Sequence, residues 1–421
     1  MDIDIKMLMT DIGKRARMAE RFLVQSDTET KNKALKAAAL VIRDNSKDIK
    51  IANSADMEAG KIKGLSKAML DRLMLDDKRI EAMASGLEDI AELPDPVGRI
   101  LSEWTRPNGL IIKRVSVPLG VIGIIYESRP NVTADAAGLC LKSGNTAILR
   151  GGSESFNSSM AIMGCLRRGI ADSNLPADSV QIVPVTDRDA VGIMLKMTEY
   201  IDVIVPRGGK SLISRIVEES RIPLFQHLEG ICHTYIHCDA DLEMACNVVL
   251  NAKLRRTGIC GATETLLVDN AAVKSHLSVI IKTLLKAGCE VRGDSISQLV
   301  DNRVLPATEE DWHTEYLDAI ISVKVVDGVA GAVEHINRYG SRHTESIITE
   351  TESVADIFLK NCDSAIILWN ASTQFADGGE FGMGAEIGIS TGRLHARGPI
   401  GVEQLCTFKY QILGCGQIRP V

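Results

Sequence analysis

Gly120-Val-Ile-Gly-Ile-Ile-Tyr126-Glu-Ser-Arg-Pro-Asn131, carried on through Lys142-Ser-Gly-Asn-Thr-Ala-Ile-Leu-Arg150-Gly-Gly152, is the stretch that decides the fold. Residues 120–126 form an apolar, β-branched run of the length of a buried strand. Asn131 stands where its side chain could cap a helix reaching to residue 143, and Gly144-Asn145 reads as that helix's stop. Residues 146–150 are a second buried strand. A strand, a helix and a second strand with no hairpin turn between them make a parallel pair.

The same alternation continues outward. Downstream come a helix over 155–172, a strand over 179–183, a helix over 187–197, a strand over 200–205, a helix over 210–219 and an extended run over 224–228. A second alternating block follows from 234 to 370, with strands expected at 263–268, 320–326, 346–349 and 365–369. Upstream, residues 1–100 read as helices, notably 12–22 and 30–51, until Pro94-Asp95-Pro96 breaks the pattern. Residues 101–117 look like a hairpin arm turning at Gly109, and 405–413 alternates like an edge strand. The expected class is α/β, with two doubly wound α/β domains and a small β element. Candidate boundaries lie at 230–234 and in the glycine-rich stretch 378–388.

The chain has 421 residues, 45% of them apolar and 24% charged, which suits a globular protein of roughly two or three domains. A net charge of -7 and 4% aromatic residues give no basic, base-stacking surface, so no nucleic-acid partner is expected. No apolar run approaches the roughly 18 residues of a membrane span, and residues 1–9 lack the core of a signal peptide. A soluble, cytoplasmic protein is therefore expected. Its ten cysteines show no framework spacing and read mostly as small buried hydrophobes.

Four motifs carry chemistry. Arg255-Arg-Thr-Gly-Ile-Cys260-Gly-Ala-Thr places a cysteine between two glycines in a turn before a strand. Substrate could approach closely there, and backbone N–H groups could favour a thiolate and an oxyanion. By itself the segment fits a nucleophile and a buried structural cysteine equally. Asn131 could donate to an oxyanion or be an ordinary N-cap, and the residues alone favour the cap. Arg150-Gly151-Gly152-Ser153 and Arg207-Gly208-Gly209-Lys210 each follow a strand and precede a helix. Open α/β sheets hold nucleotides at such turns, although turn glycines with solvated charges would read the same way. Gly209-Lys-Ser211 lacks the earlier glycine of a P-loop. Cys232, His233, His237 and Cys238 suggest a metal cluster, but neighbours in an extended segment point to opposite faces, so no metal is expected there.

Six segments together give a resemblance that spans most of the chain. They are Tyr126-Glu-Ser-Arg-Pro-Asn-Val-Thr133, Ile148-Leu-Arg-Gly-Gly152, Val205-Pro-Arg-Gly-Gly209, His227-Leu-Glu-Gly-Ile-Cys-His233, Thr314-Glu-Tyr-Leu317 and Leu394-His-Ala-Arg-Gly-Pro-Ile-Gly401. With them the chain resembles the gamma-glutamyl phosphate reductase (glutamate-5-semialdehyde dehydrogenase) branch of the aldehyde dehydrogenase superfamily. The resemblance implies an aldehyde dehydrogenase-like fold. Its NADP-binding domain would cover 1–100 and 118–229, its catalytic domain 230–394, and its bridging, oligomerising element 101–117 with 395–421. It implies reduction of L-glutamate 5-phosphate by NADPH in proline biosynthesis, with Cys260 as nucleophile and Asn131 in the oxyanion hole. It further implies that Arg150 contacts the adenosine ribose, that the loop from Arg207 holds cofactor and that Glu315 holds the nicotinamide ribose. Arg129, His343 and Arg397 are substrate-binding candidates by motif position only. A homodimer or higher homo-oligomer and an association with glutamate 5-kinase are implied as well.

Two departures qualify the match. Ser153 stands where family members usually carry Lys. It removes the carboxylate of ordinary NAD-using relatives but supplies no cation for a 2′-phosphate, for which Arg150 and Lys210 are the nearest candidates. Glu229, in Leu228-Glu-Gly-Ile231, lies one position away from the general base of hydrolytic relatives.

Overall fold

The structure is a computed structural model, and it describes residues 4–226 and 228–419, with nothing said of the side chain of Ala68. The chain divides into two compact units. One runs from the N-terminus to Gln226 and takes in Gly382–Gly388 and the segment from Ile400 onward. The other runs from beyond Gln226 to Phe381 and takes in Ile389–Pro399.

The first unit is built on a four-stranded parallel sheet in the order Val180–Ile182, Thr146–Arg150, Val121–Tyr126, Val203–Arg207. Val121–Tyr126 is buried throughout, as a strand covered by helices on both faces must be. The chain leaves this strand to one side first and returns to its other side last. That creates a topological switch between Val121–Tyr126 and Val203–Arg207, where such sheets open a crevice at their carboxyl ends. The last strand begins at Val203 rather than at residue 200, because residues 198–202 are still turning out of the helix Asp189–Met194. That helix is itself shorter than the expected 187–197.

The N-terminal region is helical as expected, with one correction. The pattern over 30–51 is two helices, Thr28–Asp44 and Ser46–Ile62, parted at Asn45. The Asn45 side chain donates to the Val41 carbonyl at 2.7 Å and so competes with the helix it would otherwise continue. The expected arm is the pair Ile100–Thr105 and Ile111–Pro118, and Cys406–Leu413 pairs antiparallel with the latter as an edge strand of a three-stranded sheet.

The second unit holds a seven-stranded parallel sheet. Its order is Leu305–Pro306, Glu290–Gly293, Ile320–Val326, Thr263–Asp269, Cys232–Ile236, Thr344–Ile348, Ile366–Trp369. The two short strands at the first edge escape a periodicity reading, since neither is long enough to show one. Leu266, Val268, Ile321 and Val323 pack with Val249 and Ile280 in its core. Among the described residues no helix is long and apolar enough to cross a membrane.

Candidate active site

The crevice of the first unit is a cleft of about 360 Å³ lined by Arg150, Ser153, Glu154, Arg188, Ser211 and Arg215 among others. These residues come from the ends of the first strands and from the helix after the last one, which is the placement expected of a nucleotide site. The two strand–Arg–Gly–Gly turns fold to let neighbouring backbones meet. Glu127 accepts from the Gly209 N–H at 2.9 Å. Gly208 permits this, because a Cβ there would lie 2.6 Å from a Glu127 carboxylate oxygen. Glu154 is turned onto Ser128, accepting from its N–H at 2.5 Å and its hydroxyl at 2.8 Å. Lys210 opens the helix Lys210–Glu219.

Arg150 is 7% exposed, and its guanidinium folds back onto carbonyls. It donates to Gly151, to Thr186 at 2.9 Å and to Asp187 at 3.3 Å, while its Nε is buried without a partner. A buried, incompletely satisfied guanidinium at the end of the second strand, beside two glycine turns, fits the adenosine end of a dinucleotide. It leaves Arg150 poorly placed to serve as the free cation that Ser153 fails to supply.

Asn131 precedes the helix Val132–Lys142, but it is not the expected side-chain cap. Its backbone is already helical (φ -59°, ψ -30°), and its side chain makes no capping bond. Instead its amide donates to the Asp135 carboxylate at 3.0 Å, one turn along the helix. Burial pushes the Asp135 carboxyl up to about 6, against the opposing pull of the Asn131 hydrogen bond and the Arg207 charge. An Asn whose amide is held by one N–H keeps the other for a ligand. The one signal of Asp135 in the sequence is its spacing of one helical turn from Asn131.

In the second unit Cys260 sits in the turn between the helix Leu242–Leu254 and the strand Thr263–Asp269, half-buried. Cys140, Cys165, Cys232, Cys289, Cys362 and Cys406 are buried in the ordinary way, and all ten cysteines are free. Several contacts fix the turn. Gly230 lies against it so closely that a Cβ would come within 2.7 Å of the Cys260 Cα. Gln374, itself buried, donates to the carbonyls of Ala252 at 2.9 Å and Arg256 at 3.1 Å. Glu315 accepts from the Gly230 N–H at 2.9 Å, so this carboxylate braces the segment beside the cysteine. Cys232 donates its thiol to the Cys260 carbonyl at 3.0 Å. Burial raises the Cys232 thiol well above its ordinary range, which leaves it inert beside the partly accessible Cys260.

The substrate-binding candidates fall in different settings. His343 is fully buried, with Nδ1 2.8 Å from the Thr344 hydroxyl and 3.6 Å from the Cys232 sulfur. Arg397 is paired with Asp363 at 2.9 Å. Arg129 is partly buried in the turn before Asn131. The four Cys and His residues of the supposed cluster do not converge. His237 and Cys238 lie past the end of Cys232–Ile236, and their ligand atoms come within 4.8 Å of one another and of Asp269, without Cys232 or His233.

Comparison with known proteins bears on these features. The aldehyde dehydrogenase family profile matches residues 9–295. The chain is 70% identical over 417 residues to the gamma-glutamyl phosphate reductase of Paramagnetospirillum magneticum, covering 99% of each chain. It is 61% identical to that of Rhodospirillum rubrum, covering 99% of this chain and 98% of the other. The crystal structure of the Thermotoga maritima gamma-glutamyl phosphate reductase superposes with a TM-score of 0.96 at 45% identity, over 98% of this chain and 100% of that one. An engineered glycolyl-CoA reductase with bound NADP+ shares the fold, with a TM-score of 0.69 at 14% identity and coverage of 96% of each chain.

Proposed function

Since the chain belongs to the aldehyde dehydrogenase family and, within it, to the gamma-glutamyl phosphate reductases, we propose that it reduces L-glutamate 5-phosphate to the 5-semialdehyde with NADPH, in proline biosynthesis. The observation that carries this reading is the full-length likeness to reductases of that name. The half-buried Cys260, in a turn packed closely against Gly230, supports it.

In this reading the Cys260 thiolate attacks the acyl carbon, the C–O bond to phosphate breaks, and phosphate leaves with that electron pair. A thioester remains on Cys260. The nicotinamide, when bound, supplies a hydride for the thioester carbonyl. Asn131 donates its second amide N–H to the developing oxyanion, with Asp135 fixing the direction of that amide. As the oxyanion collapses, the C–S bond breaks, the thiolate is restored and the aldehyde departs. Water has no part in the sequence, which agrees with Glu229 lying off the general-base position. The same reading places the protein in the cytoplasm as a homodimer or higher oligomer. Its contact would be the three-stranded sheet, where Phe408, Tyr410 and Ile412 are exposed.

The test is the reverse reaction with L-glutamate 5-semialdehyde and NADP+, with and without phosphate. Strict dependence on phosphate is expected, together with loss of turnover to below about one percent in Cys260→Ala, a change of at least roughly 2.7 kcal/mol. Oxidation without phosphate would instead mark a hydrolytic aldehyde dehydrogenase, and no turnover a non-catalytic binding protein.

A further inference from the structure

We propose that His237, Cys238 and Asp269 form a zinc site with three protein ligands, at the opposite end of the second sheet from Cys260.

The site lies where neighbouring parallel strands end. His237 and Cys238 follow Cys232–Ile236, Asp269 closes Thr263–Asp269, and Thr349 follows Thr344–Ile348. Cys260 stands before the start of Thr263–Asp269. A seven-residue strand spans roughly 20 Å, so the two places are separate. Adjacent residues within a strand point apart, but His237 and Cys238 lie beyond the strand's end, where the chain turns and that alternation no longer holds.

The spacing is that of side chains sharing an ion. One ligand atom from each residue lies within 4.8 Å of the other two. His237 Nε2 is 3.7 Å from the Cys238 sulfur and 3.8 Å from Asp269 Oδ2. At ordinary zinc bond lengths and tetrahedral angles, nitrogen and sulfur ligands stand about 3.6 Å apart, and nitrogen and oxygen about 3.4 Å. The gap between His237 and Asp269 is too long for a hydrogen bond.

The surroundings prepare these atoms as ligands. Asp239 holds His237 Nδ1 at 2.6 Å, and the hydroxyls of Thr349, at 2.7 Å, and Thr351 hold Asp239 in turn. With Nδ1–H given to a carboxylate, Nε2 turns its lone pair toward Cys238 and Asp269, as in the carboxylate–histidine pairs that back zinc ligands. Asp269 is fixed by the Tyr235 hydroxyl at 3.0 Å and the Ala271 N–H at 2.9 Å. It is buried, yet among the described residues neither it nor Asp239 pairs with a Lys or Arg. Two carboxylates and a thiol thus converge on one imidazole with no other cation, although a buried charge calls for a partner or a metal. A thiolate, an imidazole and a carboxylate suit zinc better than magnesium or calcium. Cys238 is exposed, which leaves the fourth position to water. Binding releases the Cys238 thiol proton to solvent and ties the ends of two central strands together.

The experiment uses the full chain, stripped of metal, in a Cys260→Ala, Cys415→Ser background that removes other accessible thiols. Zinc is titrated in competition with a chromophoric chelator, and cobalt(II) then reports the ligand set by absorption. One equivalent of zinc should bind and raise the melting temperature, and cobalt should give a thiolate charge-transfer band. Cys238→Ser should abolish the band and weaken zinc by about 100-fold or more, whereas Asp239→Ala, which removes only the support of His237, should cost about 10- to 100-fold. Because Cys238 is exposed, the metal-free Cys238→Ser chain should melt as its parent does. Zinc bound as tightly by Cys238→Ser, or a cobalt band that survives it, would overturn the proposal. So would a parent chain that takes up no zinc, in which case His237 is an imidazolium set between two carboxylates and nothing more.

Discussion

Asn131 shows how one side chain can invite two sequence readings and take up a third arrangement. Its position before a helix suits a cap, yet its amide is aimed along the helix at Asp135. The expected outcome for Asn131→Ala is a fall in turnover of about 100-fold or more, as for loss of one oxyanion donor, with cofactor affinity unchanged. A mere cap would instead lose about 1 kcal/mol of stability. In the proposed reaction Asp135 acts through Asn131 as a positioning residue. Asp135→Ala should lower kcat by about 10-fold or more through misdirection of the amide. Asp135→Asn, which keeps an acceptor, should recover most of that rate. A pH signature goes with it. The folded carboxyl is raised to about 6 from its usual 3.8, so the folded state holds the proton more tightly and stability falls as pH rises through that interval. Denaturant titrations should show wild type losing stability relative to Asp135→Asn between those values, with the difference level above about 7.

At the scale of elements, the turn that bears Cys260 depends on a residue distant in sequence. The helix Leu242–Leu254 ends in carbonyls that need donors, and Gln374 supplies them to Ala252 and Arg256. It joins the end of that helix to the loop bearing Cys260. Gln374→Ala should therefore cost about 1–3 kcal/mol, because it strands buried acceptors. Amide exchange across residues 255–261 should rise more than exchange in the sheet. Uniformly faster exchange would mean that Gln374 supports the unit in general rather than the turn. Nothing in the Cys260 segment announces this partner. The turn itself was readable from its glycines and from the strand that follows, whereas its brace is more than a hundred residues away.

The molecule as a whole is threaded so that neither unit is one continuous stretch. The chain passes between units after residues 226, 381, 388 and 399. Its last strand, Cys406–Leu413, returns to pair with Ile111–Pro118. Phe408, Tyr410 and Ile412 alternate along this edge strand and so share a face. All three are exposed, and Tyr410 meets the exposed ring of Trp104 edge-on at 6.2 Å. An exposed apolar group of this kind on a sheet edge is characteristic of an interaction surface. For the proposed oligomer, sedimentation should give at least a dimer for wild type. The double variant Tyr410→Asp with Ile412→Asp should shift it to monomer without unfolding it. A monomeric wild type would remove this element from any role in assembly.

The sequence by itself determined the alternation of strands and helices, the glycine turns after Arg150 and Arg207, the turn around Cys260 and the terminal edge strand. Each is local: a period, a breaker or a small residue within a few positions of the feature it marks. Tertiary structure alone decided which way the charged groups of those turns face. Arg150 is drawn onto the carbonyls of Thr186 and Asp187, and Glu154 onto Ser128, because groups leaving the water find their nearest partners across neighbouring loops. The split at Asn45 is local, made by the bond of its own side chain to the Val41 carbonyl four residues back, but the late start of the strand at Val203 is decided in the tertiary structure, where a packed turn outweighs the small propensities a sequence window sums.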